Sequence, residues 1–223
     1  MNEFSIKNII DYYGKSERSR LTFLNNLQTV RLIDKDARNY WHRSLTAISQ
    51  AFKRDDNSII IERIEAISID NESSTYNRTK LMYGQNIKIL NNFIDFDFSV
   101  WKPRGKLNFL PQSEAVSAIN INGIQIKIHG DNLFSYKIDS VKYVGAIWFV
   151  ATKNGFKNEE LVLFTDALYR LLKYNFSEEY EIDINHCVAV DVFNVNSINY
   201  SQIQNEEKSS KLDTLIDGIK AKL

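Results

Sequence analysis

Apolar residues recur at helical spacing through the first part of the chain, and this periodicity predicts a series of amphipathic helices. The first helix is predicted to end at Gly14, and a second begins after Ser16. A third helix is predicted from Asp34 or Asp36, either of which can cap it, to about Arg54. The apolar stripe of this third helix is wide. The chain up to about residue 54 is therefore predicted to be mainly helical.

The segment from residue 59 to residue 67 fits either a strand or a helix by its apolar content alone. Its charged and apolar residues follow an i, i+3, i+4 pattern, which favours a helix. A polar break precedes a longer helix that is predicted to run from Thr75 to about Phe96. Residues 1–97 are therefore predicted to form a largely helical N-terminal region.

The period of the apolar pattern then changes to two, which is typical of β-strands. Residues 96–101 alternate and predict a strand or an extended segment. A hairpin is predicted over residues 116–128, with its turn at Asn122-Gly123, a dipeptide typical of tight hairpins. Two further strands are predicted at Leu133–Ile138 and Tyr143–Ala151.

The last part of the chain predicts a strand–helix–strand unit. A helix is expected at about residues 158–175, a buried strand at 185–195 and a final helix at about 204–222. Such a unit is a right-handed crossover between parallel strands. Added to the hairpin, it predicts an α/β fold whose mixed sheet, within residues 98–223, is covered by helices. We expect the helical N-terminal region to pack on this core as one compact domain.

The composition is that of a globular protein of 223 residues, with 43% hydrophobic and 25% charged residues. No run of about 18 apolar residues is present, so no membrane association is expected. The N-terminus lacks the basic and apolar segments of a signal peptide. The single cysteine, Cys187, lies in an apolar run, which excludes a disulfide framework and predicts a buried thiol. A cytoplasmic location is therefore expected.

The formal net charge is zero, but the charges are unevenly distributed. Residues 98–153 hold seven Lys and Arg against three Asp and Glu, whereas residues 154–223 hold seven against twelve. The basic surplus includes the loop formed by Trp101, Lys102, Arg104 and Lys106. A tryptophan beside three cations can stack on a base and hold phosphate. The alternative is that this loop is a solvated connector.

The order of elements resembles the core of the PD-(D/E)XK nuclease superfamily, which has a helix, a three-strand meander, a helix and a further strand. In that family an aspartate opens the second strand of the meander, and an acid, one residue and a lysine end the third. Asp131 and Lys153 match the aspartate and the lysine, but Ala151 stands at the position of the acid. The family often takes a further glutamate from the preceding helix; the possible glutamates here, Glu62 and Glu65, lie on an earlier helix than the one that best matches.

The resemblance implies a Mg²⁺-dependent phosphodiesterase site, because hard cations bind carboxylate oxygens and a lysine stabilises charge on the phosphate. With Ala151 in place, only Asp131 remains as a carboxylate of the motif. Asp139, in the following turn, is a candidate third residue and metal ligand, and His129 is a candidate replacement.

The leading hypothesis is a non-catalytic accessory or binding protein that has a degenerate nuclease-like core and needs no cofactor. Its expected partners are nucleic acid, another protein or a second copy of the chain. The strands at residues 145–149 and 190–193 also look similar to those of a group of bacterial proteins of similar length. A role in bacterial antiviral defence is expected from resemblance alone. The alternatives are a Mg²⁺-dependent endonuclease that uses Asp131, Asp139 and Lys153, and a structural subunit of a larger complex.

Overall fold

The computed structural model describes residues 3–28, 40–111, 117–206, 208 and 210–223 of the chain. These ranges contain eight α-helices: α1 (Ile6–Tyr13), α2 (Glu17–Gln28), α3 (His42–Arg54), α4 (Ser58–Ser73), α5 (Asn77–Asn91), α6 (Asn158–Phe176), α7 (Tyr200–Gln204) and α8 (Leu212–Lys220). None of the described helices combines the length and the apolar character that crossing a membrane requires. The predicted start of the third helix, at Asp34 or Asp36, lies outside the described residues.

The strands of the described ranges form two sheets. They are β1 (Glu3–Ser5), β2 (Asn108–Leu110), β3 (Ala118–Ile121), β4 (Ile124–Lys127), β5 (Asn132–Ile138), β6 (Val141–Val150), β7 (Glu181–Asp191) and β8 (Asn196–Asn199). The larger sheet has the order β2-β5-β6-β7-β8 and the smaller one the order β1-β4-β3. In the larger sheet β6 and β7 are parallel and joined through α6, whereas the other pairs are antiparallel. The predicted α/β fold with a mixed sheet is confirmed.

Helices cover both faces of the larger sheet, because its central strands bury residues alternately on one face and on the other. On β6, Ala146 and Trp148 belong to the core on one face, which also includes residues of α1, α6 and α8. Ile147 and Phe149 belong to the core on the opposite face, together with residues of α3, α4 and α5. The helical N-terminal region therefore packs on both faces.

The predicted hairpin is present, but it does not belong to the larger sheet. β3 and β4 pair across Asn122 and Gly123, whose φ angles are 51° and 90°. β4 also pairs in parallel with β1, with Phe4 opposite Ile126 and both side chains buried. The expectation of one continuous sheet is wrong, because the second edge of β4 is occupied by β1 instead of by β5.

The prediction of a strand or an extended segment at residues 96–101 is also wrong, because residues Phe98–Trp101 form a short 3-10 helix. The Asp97 side chain accepts a hydrogen bond of 2.9 Å from the Ser99 N–H and so caps this helix. Phe98 and Trp101 are three residues apart and both buried. In a 3-10 helix, residues three apart lie on the same side. The buried residues of this segment therefore follow a spacing of three and not the alternation of a strand.

The final helix begins later than predicted. Residues 196–199 form β8, and α7 ends at Gln204. Glu206 has a φ of 61°, a left-handed conformation that interrupts a right-handed helix. α8 then covers the second part of the predicted range, with Leu212 and Ile216 buried.

β7 carries a large bulge beside the middle of β6. Val144 and Ala146, two residues apart on β6, pair with residues five apart on β7, so four residues of β7 lie opposite Gly145. A Cβ atom at position 145 would lie 2.8 Å from a backbone carbonyl oxygen of this bulge and 2.8 Å from the ring of Phe134. Glycine therefore permits a close approach here that a larger residue would prevent.

Candidate functional site

Asp131 and Lys153 lie at the same end of the larger sheet. β5 and β6 are antiparallel, with Asn132 opposite Ile147, so the start of β5 lies beside the end of β6. β7 is parallel to β6 and ends at the same side, where α6 begins. We call this side, at which β6 and β7 end, the carboxyl edge. Ligands of open α/β sheets commonly bind outside the carboxyl ends of the strands.

Asp131 extends the ladder between β5 and β6 by one further residue. Its backbone N–H donates to the Ile147 carbonyl oxygen at 2.9 Å. Its carboxylate Oδ2 accepts a hydrogen bond of 2.6 Å from the Phe149 N–H. The carboxylate therefore replaces the backbone carbonyl that a longer β5 would have supplied, and it has a structural role at the edge of β6.

The surroundings of the Asp131 carboxyl group disfavour its charged form. Although the residue keeps an exposed surface, burial among protein atoms raises the pKa of Asp131 to about 7, and its backbone hydrogen bonds oppose this rise. Water at the exposed surface screens part of this effect. A carboxyl group with a raised pKa is a poorer ligand for a hard cation, because the proton competes with the metal.

Ala151 lies just after the end of β6, and its side chain is 8% exposed within the core on the α3–α5 face. A methyl group offers no oxygen to a cation. A second carboxylate at this edge does not come from Asp139 either. Asp139 and Ser140 form the turn between β5 and β6, with φ angles of 46° and 76°.

The prediction that Asp131 and Asp139 bind the same metal ion is corrected by this geometry. The two residues lie at opposite ends of β5, and eight residue steps of extended chain correspond to about 26 Å. Two ligands of one ion must each lie about 2.0–2.6 Å from it. Asp131 and Asp139 therefore cannot share a cation.

Lys153 is exposed and lines two adjoining cavities at the carboxyl edge. The first, of about 460 Å³, contains Lys7 of α1, Lys153, and Lys157 at the start of α6. Lys7 forms an ion pair of 2.9 Å with Asp11, whereas no ion pair among the described residues includes Lys153. The Lys157 backbone N–H donates to Glu160 at 2.8 Å. We call these three lysines the lysine cluster.

The second cavity, of about 410 Å³, lies between Lys153 and the helices on the α3–α5 face of the larger sheet. We call it the α5 cavity, because Leu81 and Gln85 of α5 contribute to it together with Tyr40, Trp41, Lys7 and Thr152. Gln85 Oε1 is buried and accepts no hydrogen bond within the described part of the chain. Such an atom is rare in a folded protein and requires an explanation.

The sequence interpretation did not include Gln85. It lies on the helix that precedes the strands, the place from which the nuclease family takes a glutamate. A search for a polar residue on the inward side of that helix would have found Gln85 and its neighbour Asn86. Asn86 is fully buried, and its amide donates to the Tyr40 carbonyl oxygen at 2.9 Å.

The predicted binding loop does not present Trp101 to a ligand. The indole is 7% exposed and stacks on Phe96, with ring centroids 4.6 Å apart and an interplanar angle of 29°. Its Nε1–H donates to Ser197 Oγ at 3.3 Å. The prediction that Trp101 stacks on a base is therefore corrected, because the ring is part of the core.

Lys102 of the same loop is also engaged. Its ammonium group forms an ion pair of 2.7 Å with Asp55 and lies 5.0 Å from the centroid of the Phe52 ring. Arg104 and Lys106 are exposed on either side of Gly105, whose φ is 112°. The loop therefore offers two exposed cations and no aromatic ring.

The histidines and Asp191 do not form a metal site with Asp131. His129 is exposed in the segment after β4. His186 Nδ1 lies 2.5 Å from Asp183 Oδ2 in the bulge of β7. Asp191 accepts hydrogen bonds from Phe156 N–H at 3.2 Å and from Asn194 Nδ2 at 2.9 Å, and burial raises its pKa. Within the described residues, no three His, Cys, Asp or Glu side chains are grouped as a metal site.

Comparison with known proteins gives no further identification. The chain matches no protein-family model, no curated protein and no solved structure. Any function must therefore be inferred from the carboxyl edge itself.

Proposed function

We propose that the protein is a non-catalytic nucleic-acid-binding protein that holds phosphate groups at the lysine cluster. The observation that carries this proposal is the position of Lys153, an exposed cation without an ion-pair partner among the described residues, between two cavities. Lys7 and Lys157 reach the same edge from α1 and from the start of α6. The N-terminus of α6, a helix of 19 residues, adds a partial positive charge there.

The non-catalytic part of the proposal rests on the two motif positions near Lys153. The Asp131 carboxylate already accepts the Phe149 N–H, and Ala151 provides no ligand atom. The order β2-β5-β6-β7, with two antiparallel pairs and then a parallel one, supports a nuclease-like scaffold. We infer a scaffold that keeps a phosphate-binding lysine and has lost the second carboxylate.

Binding is tested by fluorescence anisotropy with labelled oligonucleotides between 50 and 200 mM salt. Lys153→Glu should weaken binding by at least about 10-fold at the lower salt, and Lys153→Ala should reduce the salt slope by about 0.7–0.9, the effect of one phosphate contact. Lys137→Glu is the matched control, because Lys137 is exposed near the opposite end of β5. Equal effects of Lys153→Glu and Lys137→Glu would contradict a localised site.

A Mg²⁺-dependent nuclease is the second candidate, because Asp131 and Lys153 lie at one edge in the order of the nuclease motif. We expect no cleavage of DNA or RNA by the protein with Mg²⁺ or Mn²⁺. Cleavage that Asp131→Asn abolishes would overturn the non-catalytic proposal. The expected protein partner, the structural-subunit role and the role in antiviral defence stay predictions.

A further inference from the structure

The α5 cavity combines four features that phosphate binding alone does not require. Tyr40 and Trp41 supply aromatic rings, Leu81 an apolar surface and Gln85 a buried amide oxygen, and Lys153 joins this cavity to the lysine cluster. We infer that the α5 cavity receives an unpaired nucleobase, so that the bound nucleic acid is single-stranded. This inference rests on the proposed function and specifies its substrate class.

The aromatic pair is held in place by its neighbours. The ring centroids of Tyr40 and Trp41 are 4.5 Å apart at an interplanar angle of 65°. Asn86 donates to the Tyr40 carbonyl oxygen at 2.9 Å and accepts from the Ser44 N–H at 3.0 Å, which fixes the start of α3 against α5. Tyr40 is 37% exposed, so it presents surface on which a base can stack.

Gln85 lines the α5 cavity, and its Oε1 is closed off from solvent and has no hydrogen-bond donor among the described residues, so rotation of this side chain into the cavity would give the oxygen a donor from a bound ligand. Each nucleobase carries N–H donors on its Watson–Crick edge, as a ring N–H or as an amino group. In a duplex the ring N–H and one hydrogen of each amino group are used by the complementary base, and the second amino hydrogen lies in a groove. Only a base that is unpaired can place its Watson–Crick edge inside a cavity, so the bound nucleic acid is a single strand.

The two cavities together fit a nucleotide in a chain. Lys7 and Lys153 line both, so a base in the α5 cavity would have its phosphate beside cations that the proposed function already uses. The volumes of about 410 and 460 Å³ lie within the range of known ligand cavities, about 300–1,000 Å³. The strand would therefore run along the carboxyl edge, with one base inserted towards α5.

The test compares a single-stranded oligonucleotide with the duplex of the same sequence, and with a nucleoside monophosphate as competitor. We expect the single strand to bind about 10-fold more tightly than the duplex, within the roughly 5- to 150-fold that stacking of one base can contribute. Binding should also quench the fluorescence of Trp41, since Trp101 and Trp148 are each only 7% exposed.

Three variants assign the preference to the cavity. Gln85→Leu removes the amide but keeps an apolar side chain, and it should lower single-strand affinity by about 5- to 10-fold without changing duplex affinity. Tyr40→Ala should abolish the preference, whereas Tyr40→Phe should keep it, because stacking needs the ring and not the hydroxyl group. Thermal unfolding of each variant checks that the fold is retained.

The outcomes separate this inference from the proposed function. Equal, Lys153-dependent affinities for single strand and duplex would leave the proposed function standing and overturn the base-binding cavity. Displacement of the oligonucleotide by an equal concentration of the monophosphate would overturn the single-strand assignment. Binding that does not depend on Lys153, or no binding at all, would overturn the proposed function and this inference with it.

Discussion

The hydrogen bond between the Asp131 carboxylate and the Phe149 N–H allows a structural role of this residue to be separated from a catalytic one. Asp131→Asn keeps an oxygen acceptor and removes the charge, whereas Asp131→Ala removes both. In the folded protein burial raises the pKa of Asp131 from 3.8 to about 7. The unfolded chain therefore releases this proton at a lower pH than the folded protein does.

The sign of the pH effect follows from this difference. Between about pH 4 and pH 7 the folded state binds more protons at Asp131, so its contribution to the free energy of unfolding falls as the pH rises. A rise from 3.8 to about 7 corresponds to about 4 kcal/mol at full conversion. Because Asp131 has an exposed surface, screening reduces this figure, and we expect about 1–2 kcal/mol.

The assay is urea unfolding of the wild-type protein and both variants at pH 3 and pH 8. At pH 8 Asp131→Asn should be more stable than the wild type by about 1–2 kcal/mol, and at pH 3, below the unfolded pKa of 3.8, the two should be nearly equal. Asp131→Ala should be less stable than Asp131→Asn by about 1 kcal/mol at both pH values, since it loses the hydrogen bond. If Asp131→Asn is the less stable protein at pH 8, the structural interpretation of Asp131 is refuted.

Three further predictions concern the packing around the sheet. Arg170→Met should reduce the free energy of unfolding by about 2–3 kcal/mol, because the 5%-exposed Asp166 carboxylate then keeps only the hydrogen bond from Ser210. Asp213→Asn, at a 52%-exposed partner of the same arginine, should cost less than about 1 kcal/mol. Equal losses in urea unfolding would contradict this. Gly145→Ala should lower the thermal midpoint of unfolding markedly, since the added Cβ would lie 2.8 Å from two other atoms. Gly84→Ala is the control: its added Cβ would have no neighbouring atom within 4 Å, so the free energy of unfolding should rise by up to about 1 kcal/mol. The Cys187 thiol is buried, and burial raises its pKa. A thiol reagent at pH 8 should therefore react with it only as fast as the protein unfolds. Immediate reaction of the native protein would show that the thiol is accessible.

Long periodic segments were predictable from the sequence because many residues report the same period. The helix expected at residues 158–175 is α6, Asn158–Phe176, and the ambiguous segment at residues 59–67 lies in α4, Ser58–Ser73. β1, β2 and β8 were not predicted. Each has three or four residues, too few to show a period, and each lies at the edge of a sheet.

The candidate site was only partly predictable. Asp131 and Lys153 lie at one edge because β5 and β6 are consecutive antiparallel strands, but the use of the Asp131 carboxylate depends on its register with Phe149. Tyr40 and Gln85 come to the same cavity from distant parts of the chain. No local sequence pattern predicts that these two residues line one cavity, because tertiary packing brings them together.

The misassignment of Trp101 has a similar cause. A tryptophan followed by three cations has the same local sequence whether its ring faces solvent or core. Its burial depends on contacts with Phe96 and with Ser197, and the latter lies 96 residues away in the chain. Ser197 belongs to β8, a strand that was not predicted.

The parallel pairing of β1 with β4 has a consequence for the order in which the chain folds during synthesis. Glu3–Ser5 leaves the ribosome about 120 residues before its partner strand, a delay of about 6–24 s at 5–20 residues per second. During that interval the apolar side of α1, with Ile6 and Ile9, has neither β4 nor α6 to cover it. The nascent protein therefore exposes a hydrophobic segment for seconds, and this segment is where a chaperone would act or where premature association of two chains would begin.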